Sequence, residues 1–250
     1  MSDFNRGYTG PATAGSADMA VDAGLRAFML GVFNKVGLGL VLSAGMAYLT
    51  GAYEPVRNLM FQLTLDGRVG YTTLGWVVAF APLAVILFSG VAMKSITPRS
   101  SGIVYWAIVS LIGASMGVLV LRYTGASIAS TLLVTAAAFG GLSLVGYTTK
   151  RDLTGMGSFL IMGLVGLIIA MVVNMFLVSS AMGFIINVIG VLIFAGLTAY
   201  DTQRLKMTYY RLGGDQAALG VATNYGALSL YLDFINLFQF LLAFMGGSRR

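Results

Sequence analysis

The 250-residue chain contains no cysteine and no histidine. The first absence excludes disulfides and thiol chemistry. The second removes the commonest metal ligand and the one side chain that titrates near neutrality unperturbed. A pH response near neutrality must then come from carboxylates or lysines in altered surroundings. Charge is scarce as well: 10% of the residues are Asp, Glu, Lys or Arg, against about a quarter in soluble domains. With 58% hydrophobic residues and a mean hydropathy of +0.86, the chain has too little charge to coat a water-facing surface of its size. An ordinary soluble enzyme and a disordered protein are excluded. The net charge of +6 does not point to nucleic acid, because the basic residues form short clusters between apolar runs, as in cytoplasmic loops.

What is present is a series of long uncharged stretches. The 25 residues between Arg68 and Lys94, the 22 between Arg99 and Arg122 and the 27 between Arg122 and Lys150 each hold one helix of the roughly 20 residues that cross the hydrocarbon. The 48 between Asp152 and Asp201 hold two, with a turn expected at Ser179-Ser180-Ala181-Met182-Gly183. The expected fold is all-α, a polytopic membrane protein with seven transmembrane helices near 31–51, 74–93, 103–121, 126–147, 158–178, 184–207 and 226–245. Residues 1–24 are expected as a flexible cytoplasmic tail and 25–250 as the membrane domain. Val21, Leu25 and Phe28 follow helical spacing, with Asp22 facing Arg26, and read as a short interfacial helix ahead of the first span. Lys35 is expected to snorkel to the interface. No cleavable signal is visible, which points to a bacterial inner membrane. With the N-terminus inside, Arg6, Arg26, Lys35, Lys94, Arg99, Lys150, Arg151, Arg204, Lys206 and Arg211 fall inside, and Arg57, Arg68, Arg122, Arg249 and Arg250 outside. Ten against five favours that orientation, although Arg249 and Arg250 fall on the wrong side and leave a re-entrant last helix open.

Glycine is abundant, at 33 residues. Gly113 and Gly117, Gly140-Gly141, Gly163 and Gly166 read as packing positions that let helices approach.

Of nine acids, seven lie in tails or loops. Asp201 ends the sixth apolar run and Asp233 lies inside the seventh. A carboxylate at the membrane centre costs about 2.5–3.5 kcal/mol on insertion scales, so it must face protein or water and is a functional candidate by default. The topology brings both acids toward the cytoplasmic face on adjacent helices. Two like charges a few ångströms apart resist joint ionisation and titrate as a unit. Ser229, Asp233, Asn236 and Phe240 share one stripe of the last helix. That stripe either lines a water-filled path or, for Ser229 and Asn236, bonds neighbouring helices. Lys94, Arg99 and Arg204 are candidate counter-charges, Arg204 doubling as an interface anchor. Calcium, a hard ion that prefers oxygen ligands, could bind Asp201 and Asp233 transiently as a transported ion; no cofactor is expected. No phosphate-binding loop, nucleophile elbow or metal-ligand cluster is present. An intramembrane aspartyl protease is a remote alternative: Tyr200-Asp201 suits one half of such a site, but Asp233 follows Leu230-Tyr231-Leu232 and not a Gly-x-Gly turn.

Ala199-Tyr200-Asp201-Thr202-Gln203, together with Ser229-Leu230-Tyr231-Leu232-Asp233-Phe234-Ile235-Asn236-Leu237-Phe238, closely resembles the transmembrane Bax inhibitor motif family, which includes Bax inhibitor, the lifeguard proteins and bacterial relatives. The seven-span layout extends the likeness from about residue 25 to the end. The resemblance implies a seven-helix bundle with the last helix central. It implies a pH-sensitive calcium leak gated by a di-aspartyl pair, matched here by Asp201 and Asp233, and a basic latch near the end of helix two, for which Lys94 is the nearest match. Some bacterial relatives are similar in modulating a membrane-bound ATP-dependent protease. The second functional expectation is therefore a membrane-stress regulator that acts by binding other membrane proteins, its Gly-rich surface suiting helix docking. Neither expectation is enzymatic.

Overall fold

Inside a bilayer every backbone N–H and C=O must find an internal partner, and the long uncharged runs accordingly fold as helices. The computed structural model of the chain describes residues 14–64, 69–92 and 96–247. Its helices are α1 (Ala14–Ala52), α2 (Glu54–Met60), α3 (Thr73–Ala92), α4 (Pro98–Ser115), α5 (Gly117–Arg122), α6 (Gly125–Thr148), α7 (Thr154–Leu177), α8 (Ser180–Leu212) and α9 (Gln216–Met245). Among the described residues six helical stretches are long and apolar enough to cross a membrane: 23–52, the joined α4–α5, α6, α7, α8 and α9. A shorter apolar stretch, Thr73–Ser89, lies in α3 and contains Pro82. The protein is thus an all-α polytopic membrane protein in its bulk.

The chain punctuates its helices with polar caps. The Thr97 hydroxyl accepts from the Ser100 amide in a capping box, with Pro98 next in line. Thr124, Ser179 and Asp215 cap α6, α8 and α9 in the same way.

Four expectations about the first eight helices and their connections need correction. The first span does not begin near 31 behind a separate interfacial helix, because α1 is continuous from Ala14. Its register persists through Leu25, Phe28, Met29 and Val32, all buried, and Phe28 packs on Tyr209 of α8 at 5.6 Å. Helix thus begins inside the segment expected as a tail; residues 1–13 lie outside the described residues, as does any pairing of the Asp22 side chain. The second correction is a small antiparallel hairpin, β1 (Phe61–Leu63) and β2 (Val69–Tyr71), with Phe61 opposite Tyr71. Third, the 103–121 span is broken at Met116 into α4 and α5. Fourth, the α7–α8 turn is tighter than expected, being only Val178-Ser179, with Val178 in the left-handed region at φ 49°.

Small residues set the closest helix contacts, but not all of those expected. A Cβ on Gly113 would lie 2.5 Å from Ser43 Cα, and one on Gly117 would run into Thr50 Oγ1, so these two seat α4–α5 on α1. A Cβ on Gly163 would lie 3.3 Å from Ile193 Cδ1. Gly140, Gly141 and Gly166 have open space where a side chain would be and do not pack helices. Gly146, not anticipated, lets α6 touch the backbone of Ala199 in α8.

The main core forms where α9 meets α1, α4, α6 and α8. Tyr231 of α9 is fully buried, and its hydroxyl meets Ser43 Oγ at 2.7 Å while Ser43 donates to the Val109 carbonyl. Lys35 is half-buried, donates to Asn224 Oδ1 and lies over the Tyr105 ring. Asn224 in turn donates to the Pro98 carbonyl and Ser101 Oγ, both at 2.8 Å. One polar network therefore ties α1, α4 and α9 together.

Candidate functional site

The turn between α8 and α9 is short because Gly213 and Gly214 take φ of +56° and +89°, conformations that glycine adopts without a Cβ penalty. Asp215 then caps α9 by accepting from the amides of Ala217 and Ala218. Two antiparallel neighbours result. Their register is marked by Arg204 Nη2 of α8, which donates to Ser229 Oγ of α9 at 3.2 Å. One turn further toward the far end, α8 presents Asp201 and α9 presents Asp233. In an antiparallel pair these positions are nearly level, since three residues on one helix and four on the other rise roughly 4.5 and 6 Å.

Both acids are buried, Asp201 at 7% exposure and Asp233 at 5%. They line the same cavity of about 400 Å³ between α7, α8 and α9. Their surroundings differ. Asp201 Oδ1 pairs with Arg204 at 3.2 Å, whereas Asp233 Oδ2 is buried and has no hydrogen-bond partner among the described residues. Arg204 is itself half-exposed and lies over the Tyr200 ring at 5.6 Å. The group that neutralises Asp201 is thus tethered by α8, α9 and an aromatic face together.

The α9 stripe borders this cavity. Ser229, Asn236 and Phe240 line the cavity beside Asp233. Of the two readings of its polar members, Ser229 bonds across to α8, while Asn236 donates to the Leu232 carbonyl of its own helix at 2.8 Å. Phe240 stacks on Phe194 of α8 at 5.8 Å and fills the notch that Gly190 leaves. α9 begins at Gln216 and not near 226, which puts Asp233 roughly 25 Å along its helix.

Arg99 is exposed at the start of α4 and does not line the cavity. Lys94 lies outside the described residues. Of the two candidate counter-charges among the described residues, Arg204 is placed at the acids and Arg99 is not. Among the described residues no group of three or more acidic, histidine or cysteine side chains could hold a metal.

A family model described as inhibitor of apoptosis-promoting Bax1 matches residues 25–250. The chain belongs to that family. The membership expected from the stretches around Asp201 and Asp233 therefore holds over nearly the whole chain. Among similar proteins, one from Caulobacter vibrioides is 63% identical over 249 residues, covering all of both chains. A protein of Rickettsia prowazekii is 42% identical, covering 97% of this chain and 98% of its own. The inner membrane protein YbhL of Escherichia coli is 39% identical, covering 91% of this chain and 94% of its own. Composition, six spanning-length helices and membership agree that this is an integral membrane protein of the Bax inhibitor family.

Sequence reasoning missed two parts of the site. Tyr200 was noted only for its place in a motif, yet its ring shares the cavity and rests against Gly157 of α7. The apolar wall from α7, including Leu164, Leu167 and Met171, carried no signal, because those residues look like any lipid-facing leucine or methionine.

Proposed function

We propose that this member of the Bax inhibitor family is a pH-sensitive cation leak, with calcium as the cargo and the Asp201–Asp233 pair as the proton-responsive gate. The observation that carries the reading is the cavity lined by two buried carboxylates, one held by Arg204 and one with an oxygen unpartnered among the described residues. A proton and a cation compete for the same oxygens. Calcium takes six to eight oxygen ligands; the wall offers two carboxylates, the Ser229 hydroxyl and the Asn236 amide oxygen, and water completes the shell. So sparse a set suits an ion in transit better than a resident one. The stacked pair Phe194–Phe240 serves as the constriction. An aspartyl protease is a poorer fit, because Arg204 occupies the carboxylate that would have to hold the catalytic water.

The accompanying topology has seven spans, α3 being the shortest and α9 central, in a bacterial inner membrane, the location printed for the E. coli relative. The N-terminus is cytoplasmic. Arg26, Arg99, Lys150, Arg151, Arg204, Lys206 and Arg211 gather toward one end of the bundle, where Asn224 meets Pro98 and Gln203 meets Leu153. Arg57 and Arg122 mark the other, with Gly247 bonded there to Ser127. The excess marks the inner side, and α9 crosses fully instead of re-entering.

The test is calcium flux into proteoliposomes holding the purified chain, over a pH series. The wild type gives flux that changes with pH, and Asp233→Asn flattens the curve. Superimposable curves remove the gating role. Flux no greater than in empty vesicles removes the channel and leaves a protein that acts by binding others.

A further inference from the structure

A second cavity, of about 450 Å³, opens between α1 and α6, away from the acids. Its walls are Met29, Leu30 and Phe33 from α1 and Phe139, Gly140 and Leu144 from α6. The two helices meet there at few points, Phe33 touching Phe139 edge-on at 6.5 Å. Gly140 keeps the groove open, since nothing lies within 4 Å of where its Cβ would be.

Three features separate this groove from ordinary lipid-facing surface. Arg26 stands at its mouth, exposed and without an ion pair among the described residues. Lys206 lies beside it, over the ring of the groove residue Tyr147 at 5.5 Å and donating to the Tyr147 carbonyl at 3.0 Å. In the wall, Ser143 is 4% exposed and its Oγ has no hydrogen-bond partner among the described residues. Ser143 is five residues from the end of α6, roughly 7.5 Å below it. No described residue lining the groove is acidic. A buried hydroxyl that finds no partner costs about 1–3 kcal/mol, and its place in an apolar slot beneath two cations is explained by an occupant that brings an ester oxygen to that depth and a phosphate above it.

We propose that the α1–α6 groove is a binding site for one anionic phospholipid from the leaflet at the basic end of the bundle. An acyl chain lies along Phe33, Phe139 and Gly140, the glycerol ester stands near Ser143, and the phosphate stands at Arg26 and Lys206. The site is independent of the cation-leak reading, as it shares no lining residue with the aspartate cavity.

The test is native mass spectrometry of the full chain in detergent, titrated with phosphatidylglycerol or phosphatidylcholine of the same acyl composition. The wild type retains one phosphatidylglycerol in preference to phosphatidylcholine. Gly140→Leu fills the groove and loses retention of both lipids. Arg26→Gln keeps acyl binding and lowers the preference for the anionic lipid about fivefold, equivalent to about 1 kcal/mol for one basic residue near a membrane surface. Equal retention of the two lipids by the wild type, or wild-type retention by G140L, overturns the proposal. Arg26 is exposed, so R26Q keeps the fold and decides the matter even if G140L fails to express; an unchanged preference in R26Q overturns it as well.

Discussion

Helices α7 and α9 are inverse images of each other. α7 is the most apolar of the long helices, and only 6% of its most hydrophobic stretch is buried in protein. α9 is among the least apolar and carries Asn224, Ser229, Asp233 and Asn236, yet 50% of its corresponding stretch is buried. In water the ranking would be reversed. In a bilayer the lipid is as apolar as leucine, so hydrophobicity marks what faces lipid, and burial is driven by close packing and polar contacts. Asp233 sits on the helix that can shield it, and the apolar wall of the cavity it shares with Asp201 of α8 comes from the helix that needs no shielding.

That contrast can be broken or sharpened by substitution. The largest effect is expected in the α9 core. Leu230→Ala, at a position with no exposure, should cost about 2–5 kcal/mol. Phe176→Ala on α7, at 83% exposure, should stay within about 0.5 kcal/mol. Reversible unfolding in detergent measures both, and equal costs would erase the distinction. Next comes Tyr231→Phe, which deletes the hydroxyl bonded to Ser43 and should cost about 0.6–1 kcal/mol. Where α7 turns into α8, Val178→Gly should stabilise by about 0.5–1 kcal/mol, because the left-handed φ of 49° strains a β-branched residue and suits glycine. The smallest effect lies at the other end of α7. Asp152 accepts from the hydroxyl and the amide of Thr154, and these bonds hold its carboxyl below the usual range. A depressed value in the folded state means that the contribution is present above the ordinary carboxylate range and disappears as pH falls through the folded value. The small Tm difference between wild type and Asp152→Ala should therefore be present at neutral pH and shrink in acid.

Much of the site was legible in the sequence, because scarcity made it so. With most acids in loops or tails, the two in apolar runs stood out, and helical spacing put Ser229, Asn236 and Phe240 beside Asp233. The spans were legible from charge-free runs, except where local chemistry ended a helix. The break at Met116 falls between Gly113 and Gly117, which seat α4–α5 on α1, a neighbour distant in sequence, and the Val178-Ser179 turn rests on a valine in the left-handed region, which no sequence pattern signals. Lys35 was visible as a charge. Its partner Asn224 was not, since a contact across 189 residues leaves no periodicity. The hairpin Phe61–Tyr71 escaped because its strands are three residues each and carry no alternation long enough to read.

The central claim is that Asp201 and Asp233 respond to protons as one unit, and a double-substitution cycle on calcium flux tests it most directly. Wild type, Asp201→Asn, Asp233→Asn and the double variant are compared in proteoliposomes from roughly pH 5 to 8, the window in which an unperturbed carboxylate would already be fully ionised. The account predicts that either single substitution removes the pH dependence and that the double adds nothing further. Additive effects of the two, or a single variant that keeps the wild-type profile, would contradict it.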